Sequence, residues 1–262
     1  IFYSRHRKSA PRVVRPVYRR QVEIQTHHIA HRSGIIVLSH YLEFFRQFRT
    51  TFETTGAIAP SSRFLAANMA GPMKQHQGPK KVLEIGPGTG AVTRQIVKQI
   101  RPGDQLDLVE LNDKFVEILH KRFDTERGFQ EIKHQTAIHN CPLQDYGAAE
   151  EYDYIVSGLP LNNFPTELVS DIFKAYFRLL KPGGVLSYFE YMYVRPVRKV
   201  VSRGDENLRI REIDQIMGDY TRQFRIRRSW VWCNLPPAWV QHLQKEKSSS
   251  PELEQTASQN QI

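Results

Sequence analysis

The sequence predicts an α/β fold, a seven-stranded and mostly parallel sheet with helices on both faces. Three observations lead there. From Lys81 onward, short apolar runs of strand length alternate with stretches of helical period. The breaks between them fall on Pro102-Gly103, on Lys181-Pro182-Gly183-Gly184 and on Leu235-Pro236-Pro237. Alternation of this kind needs a sheet covered on both sides, which is the habit of parallel sheets.

Taken in order, Lys81–Gly86 reads as a strand, Val92–Ile100 as a helix and Gln105–Glu110 as a strand. Asp113–Phe123 is a helix with Asp113 as its cap, and Ile132–Ala137 and Tyr152–Gly158 are strands. Thr166–Leu180 is an amphipathic helix, Val185–Met192 a strand and Leu208–Tyr220 a helix. Gln223–Asn234 and Ala238–Leu243 close the sheet as a hairpin-like pair, so one late strand should be antiparallel.

Ahead of this region, Leu38, Tyr41, Leu42, Phe45, Phe48 and Phe52 step by three and four, a helical stripe flanked by Arg46 and Arg49. Pro60-Ser61-Ser62 starts a second helix, expected over 62–73 with serine as its cap. The organisation expected is a basic arm over 1–33, amphipathic helices over 34–78, the sheet domain over 79–245 and a disordered tail over 246–262.

Composition narrows the class. The 262 residues are 40% apolar and 11% aromatic, which excludes a wholly disordered chain. No apolar run approaches the roughly 20 residues of a membrane-spanning helix, and Ile35–Leu38 is too short for a signal-peptide core. Cys141 and Cys233 have no metal-ligand spacing, which suits a reducing cytoplasm, and no metal is expected. The net charge of +10 is concentrated: residues 1–50 hold ten Lys or Arg against Glu23 and Glu43, or +8. Such an arm fits an anionic surface, either acidic lipid or nucleic acid.

The most informative stretch is Val82-Leu83-Glu84-Ile85-Gly86-Pro87-Gly88-Thr89-Gly90, a buried strand running into three alternating glycines and then a helix. Glycine is required where backbone turns sharply against a ligand. The spacing is not the G-x-G-x-x-G of dinucleotide sites. Glu110 ends the next strand, where a carboxylate can accept both hydroxyls of a ribose.

This E-x-G-x-G-x-G turn resembles motif I of class I methyltransferases, whose Rossmann-like fold and S-adenosylmethionine cofactor it therefore implies. The resemblance places Gly86 and Gly88 close to the methionine part of the cofactor and Glu84 against its ammonium group, with Gly90 completing the turn. Asn140, after the third strand, is the candidate for the adenine amine. Leu111, Cys141, Ser157 and Ser62 complete the expected cofactor set.

Thr55–Ala66 (TGAIAPSSRFLA), the glycine turn and Ser157–Pro165 (SGLPLNNFP) together resemble the bacterial phospholipid N-methyltransferases, kin of the rRNA adenine dimethylases. Tyr188–Arg198 adds a weaker stretch. The resemblance implies methylation of phosphatidylethanolamine towards phosphatidylcholine by a protein attached to the inner face of the cell membrane through the 38–52 stripe. An ornithine lipid is an alternative acceptor. Tyr188, Tyr191 and Tyr193 are the candidate substrate tyrosines: alternation puts Tyr191 and Tyr193 on one face and Tyr188 with Glu190 on the other. A tyrosine face could hold a methylated ammonium by cation–π contact, with Arg195 and Arg198 on the lipid phosphate. Glu190, Tyr191 and Ser157 are the candidate catalytic groups. Nucleic-acid methylation is the competing reading. Against it, Ser157 and Leu161 stand where base N-methyltransferases carry an Asn or Asp and an aromatic ring.

Overall fold

The computed structural model describes residues 60–147, 149–192, 205–234 and 237–247, with backbone alone for 60–62 and 205–207. The basic arm, the 38–52 stripe, Tyr193, Arg195, Arg198 and the tail from 248 on lie outside the described residues. The chain divides into units Ile1–Thr55 and Gly56–Ile262, and the described residues belong to the second.

The first helix among the described residues, α1 (Pro60–Met69), begins two residues earlier than expected. Proline stands in its first turn, where its missing N–H costs nothing, so the serines fall inside the helix rather than before it. A 3-10 turn over Gly71–Gln75 follows. Leu65, Met69 and Met73, spaced by four, are buried in one cluster with Val82, Leu106 and Val240 of the sheet. The second half of the expected 34–78 layer therefore belongs to the sheet domain.

The strands are β1 (Lys81–Ile85), β2 (Gln105–Val109), β3 (Thr136–His139), β4 (Tyr152–Ser157), β5 (Leu180–Tyr191), β6 (Arg225–Val231) and β7 (Ala238–Gln244). The helices after α1 are α2 (Thr93–Val97), α3 (Asp113–Thr125), α4 (Arg127–Glu131), α5 (Thr166–Leu179) and α6 (Asp205–Phe224). The sheet order is β3-β2-β1-β4-β5-β7-β6. β7 pairs antiparallel with β5 and with β6, so it alone runs against the other six. This is a seven-stranded, Rossmann-like sheet, and its order reverses between β1 and β4. At such a reversal the loops leaving the carboxyl ends diverge and open a crevice.

One face is closed by α1 to α4. The other is closed by α5 and α6, whose rings interlock: Phe173 stacks on Tyr220 at 4.7 Å and meets Tyr188 of β5 edge-on at 5.5 Å. No helix among the described residues is long and apolar enough to cross a membrane.

Several boundaries differ from expectation: β5 begins at Leu180 rather than Val185, α2 spans only Thr93–Val97 and β6 only Arg225–Val231, and three further differences have a reason in the packing or capping. β3 was expected at 132–137 and starts at Thr136, because Phe129 and Ile132 are both buried at helical spacing. Phe129 packs edge-on against Phe123 at 5.1 Å, which commits that stretch to α4. α6 runs on to Phe224 because Tyr220 and Phe224, one turn apart, both lie against Phe177. The cap of α3 is Asn112, whose side chain accepts from the Lys114 N–H, rather than Asp113.

Candidate active site

β1 delivers Glu84 to the crevice and ends in the glycine turn. Gly86, Gly88 and Gly90 all have positive φ, 66°, 57° and 84°. A side chain at any of them would be strained, so the alternating glycines are what lets the chain turn here. The turn is tied on both sides: the Gly86 N–H donates to the Val109 carbonyl at 2.9 Å and the Gly158 N–H to the Ile85 carbonyl at 2.8 Å. Gly158 lies so close that a Cβ there would stand 2.6 Å from the Gly86 oxygen. Gly158→Ala must push the two loops apart. The expected cost is about 1–3 kcal/mol of stability and roughly tenfold in cofactor affinity, read by thermal melts and calorimetry. At Gly88, by contrast, a Cβ would meet nothing within 4 Å, so the turn faces open space.

Glu84 is fully buried, and neither carboxylate oxygen has a hydrogen-bond partner. Burial raises its pKa to about 8; the Thr93 hydroxyl lies near enough to oppose the shift without bonding geometry, and the Glu110 charge adds to it. An isolated buried carboxyl of this kind is costly unless a cation meets it. The ammonium of S-adenosylmethionine is such a cation.

Glu110, just past β2, is also buried. Its Oε2 accepts from the Gly88 N–H at 3.0 Å and its Oε1 from the Asn112 N–H at 2.9 Å. Burial raises its pKa, and those backbone bonds oppose the rise. Each oxygen keeps lone-pair capacity for a hydroxyl of a ribose. An orphaned acid, a second acid fixed in orientation and an open glycine turn therefore fit this cofactor. Among the described residues no group of His, Cys, Asp and Glu is placed to hold a metal ion.

The other expected residues divide. Leu111 is half-buried beside Glu110. Asn140, exposed after β3, donates its side-chain amide to the Asp113 carboxylate. Cys141 is half-buried, and burial, then the Asp145 charge, raises its thiol pKa. Ser62 falls in the first turn of α1, and its side chain is not among the described ones. Ser157 is buried with its hydroxyl against the Tyr176 phenol at 2.5 Å, and it accepts from the Leu159 N–H at 3.3 Å. That arrangement fixes the loop rather than presenting a hydroxyl to solvent.

Tyr188, a candidate substrate residue, is fully enclosed between β5 and α5 rather than open to a ligand. Tyr191 lies on the opposite face of β5 from Glu190, as strand alternation dictates. It meets Phe189 edge-on at 5.1 Å, and burial raises its phenol pKa. Glu190 is buried and accepts from the Gln241 amide at 3.3 Å. His139 lies half-buried against Tyr146, 3.2 Å from Asp107, which also accepts from the Tyr152 hydroxyl at 2.7 Å. Tyr146 and Tyr152, hydroxyl to hydroxyl at 2.6 Å, complete a polar network joining β2, β3 and β4.

Comparison with known proteins agrees with this geometry. Residues 82–184 match the model of a methyltransferase domain family. The ornithine lipid N-methyltransferase of Singulisphaera acidiphila is 29% identical over 136 residues, 52% of this chain and 70% of that protein. The ribosomal RNA small subunit methyltransferase A of Pseudomonas fluorescens is 31% identical over 124 residues, 47% of this chain but only 41% of that enzyme. Among solved structures, the 1,6-didemethyltoxoflavin-N1-methyltransferase of Burkholderia thailandensis, with S-adenosylhomocysteine bound, superposes with a TM-score of 0.55 at 14% identity. That alignment covers 83% of this chain and 90% of the other. The glycine turn with its two buried acids lies at the carboxyl end of a sheet of this order, within the segment that matches the methyltransferase domain family; the chain has the Rossmann-like fold of the class I, S-adenosylmethionine-dependent methyltransferases.

Proposed function

We propose that this chain N-methylates the amine head group of a membrane lipid while attached to the inner face of the cell membrane. The observation that carries the reading is the match to an ornithine lipid N-methyltransferase across 70% of that protein's length. Phosphatidylethanolamine is the acceptor implied by the Thr55–Ala66 and Ser157–Pro165 stretches, and an ornithine lipid is the one this match favours.

S-adenosylmethionine supplies a methyl group already activated by its positive sulfur. What the chain must add is orientation and exclusion of water. Glu84 would hold the ammonium end and Glu110 the ribose of the bound cofactor, so the two acids would orient it in the crevice. The loop after β4 forms the wall on the acceptor's side, with Leu159 and Leu161 buried beneath it. A lipid amine must lose a proton before its lone pair can attack. Tyr191, its phenol pKa raised, stays protonated at neutral pH and serves as a donor or a ring face, not a base. Of the candidate groups this leaves Glu190, a carboxylate at the carboxyl end of β5, to take the proton.

A second reading, adenine methylation in RNA, draws on the 31% match to the ribosomal RNA enzyme. The loop opposes it. Ser157 is turned inward to Tyr176, and Leu161 is buried where a stacking ring would stand. A radiolabelled methyl-transfer assay decides between them, with phosphatidylethanolamine, ornithine lipid and RNA offered separately. Label is expected in an amine lipid, and label in RNA alone overturns the proposal.

A further inference from the structure

We propose that the exposed edge strand β6 seats the acceptor end of the sheet on an anionic lipid surface. The inference rests on the lipid-acceptor reading and names the surface through which the methyltransferase domain itself would meet the membrane.

Among the described residues β6 is the outermost strand of the sheet and pairs only with β7. It reads Arg225-Ile226-Arg227-Arg228-Ser229-Trp230-Val231 and runs into Trp232, with no acidic residue. Among the described residues none of its arginines enters an ion pair with an acid. Natural sheets protect such an edge with charge or a covering element and do not usually leave large rings on it. Here Ile226, Trp230 and Trp232 are 55%, 49% and 59% exposed. Trp230 and Trp232 stack at 5.3 Å and nearly parallel, and Trp239 of β7 meets Trp230 edge-on at 5.6 Å. The Arg228 guanidinium lies 5.3 Å from the ring centres of both Trp230 and Trp239.

Strand direction gives the patch its meaning. β6 runs parallel to β1, so Trp230 and Trp232 lie at the carboxyl end of the sheet, the end that carries Glu84, Glu110 and the glycine turn. The register sets Trp230 opposite Trp239 and Trp239 opposite Glu190, level with the end of β5. On the other face of the strand, Arg227 joins Lys74, Asn68 and Gln75 around a cleft of about 310 Å³, large enough for a phosphate head group.

Tryptophan settles at the level of lipid head groups, with its ring among the upper acyl carbons and its N–H in water. Arginine keeps an apolar stem beside such rings while its charge reaches phosphate. A stacked tryptophan pair flanked by arginines that meet no acid among the described residues matches an anionic bilayer surface in both respects. Single-stranded RNA would use the same charges, but it needs free ring faces for its bases. Trp230 already has Trp232 and Arg228 against its ring.

The chain has three tryptophans, and all of them are in this patch, so the intrinsic emission of the unlabelled full chain reports on the β6 edge alone. With vesicles of phosphatidylcholine containing phosphatidylglycerol, the emission is expected to shift to the blue and to be quenched by brominated lipid. Vesicles of phosphatidylcholine alone are expected to give a far weaker response. Arg227→Gln with Arg228→Gln should weaken vesicle binding roughly 25-fold at low salt, about fivefold per charge. Trp232→Ser should weaken it by about tenfold, and cofactor affinity should stay unchanged as the control for folding.

Vesicle binding without any change in tryptophan emission would overturn the proposal, because some other segment would then be making the contact. Quenching by RNA with no response to vesicles would overturn it in favour of a nucleic-acid edge. Methyl transfer to detergent-dispersed lipid separates the two ideas. If the wild type labels lipid while its emission ignores vesicles, docking fails and the acceptor reading stands. If the emission responds but no amine lipid is labelled, docking stands and the acceptor reading fails.

Discussion

Glu84→Gln is expected to weaken S-adenosylmethionine binding by at least ~100-fold, the loss of a charge-assisted bond, while raising the melting temperature of the cofactor-free protein above neutral pH. Both effects have one cause. The Glu84 carboxyl is wholly buried without a hydrogen-bond partner, and burial, with Glu110 adding, lifts its pKa from 4.5 to about 8. Between those two values the folded chain holds a proton that the unfolded chain has released. Stability therefore falls as pH rises through this window, by up to ~1.4 kcal/mol per pH unit. Above pH 8 the folded chain carries the whole cost of a buried, unpaired charge. Glutamine has nearly the same shape and never ionises, so the slope should vanish from the pH dependence of the melting temperature. The cofactor's ammonium, however, pairs only with the ionised carboxyl. Below pH 8 binding must release a proton, so affinity should climb up to ~10-fold per pH unit and then level off. Calorimetry in two buffers of different ionisation heat counts that proton directly. A pH-independent affinity with no proton released would sink this account of Glu84.

The glycine turn was legible from the sequence because its chemistry is local. Three glycines with positive φ within five residues need no distant partner to be recognised. Glu110 was legible for the same reason, as an acid directly beyond a strand. Side-chain direction was another matter. Tyr188 reads as a possible ligand until Phe173, from the preceding helix, is seen against its ring. Ser157 reads as a loop hydroxyl, yet its partner Tyr176 comes nineteen residues later. The bounds of β3 and α6 moved because ring contacts with Phe123 and Phe177 outweighed the local pattern. The tryptophan edge was missed for a topological reason. Its alternation of Arg and Trp is visible, but β6 becomes an edge only because β7, later in the chain, inserts between β5 and β6. A stretch of strand length with arginines, tryptophans and no acid was the available signal.

Asp104→Ala is expected to destabilise the protein by about 3–5 kcal/mol, the largest stability effect of a single side chain outside the apolar core. Lys80 and Asp104 form an ion pair with side chains 0% and 1% exposed. Asp104 also accepts the N–H of Lys80 at 3.0 Å and of Arg101 at 2.8 Å, and the Lys80 ammonium donates to the Gln99 carbonyl at 2.9 Å. Burial alone would raise the carboxyl's pKa. The hydrogen bonds from Lys80 and from the two backbone amides, with the Lys80 charge, outweigh it and hold the group below its usual value. The stability it contributes is thus present above pH 3.8 and lost as acid protonates it below that. Alanine leaves the ammonium buried without its anion, so the cost far exceeds that of an exposed pair. The double change Lys80→Met with Asp104→Leu removes both charges and should recover most of the loss. The pair matters to function through geometry. Lys80 immediately precedes β1 and Asp104 immediately precedes β2, and together they set the register that pairs Lys81 with Gln105 and Glu84 with Leu108. That register carries Glu84 and Glu110 to the same end of the sheet, some five residues from the ion pair. Denaturant melts of the single and double variants test the energetics, and calorimetry on the folded fraction tests the placement. Cofactor affinity in the double variant should match the wild type; a large loss there would mean that the ion pair tunes the site rather than the register beneath it.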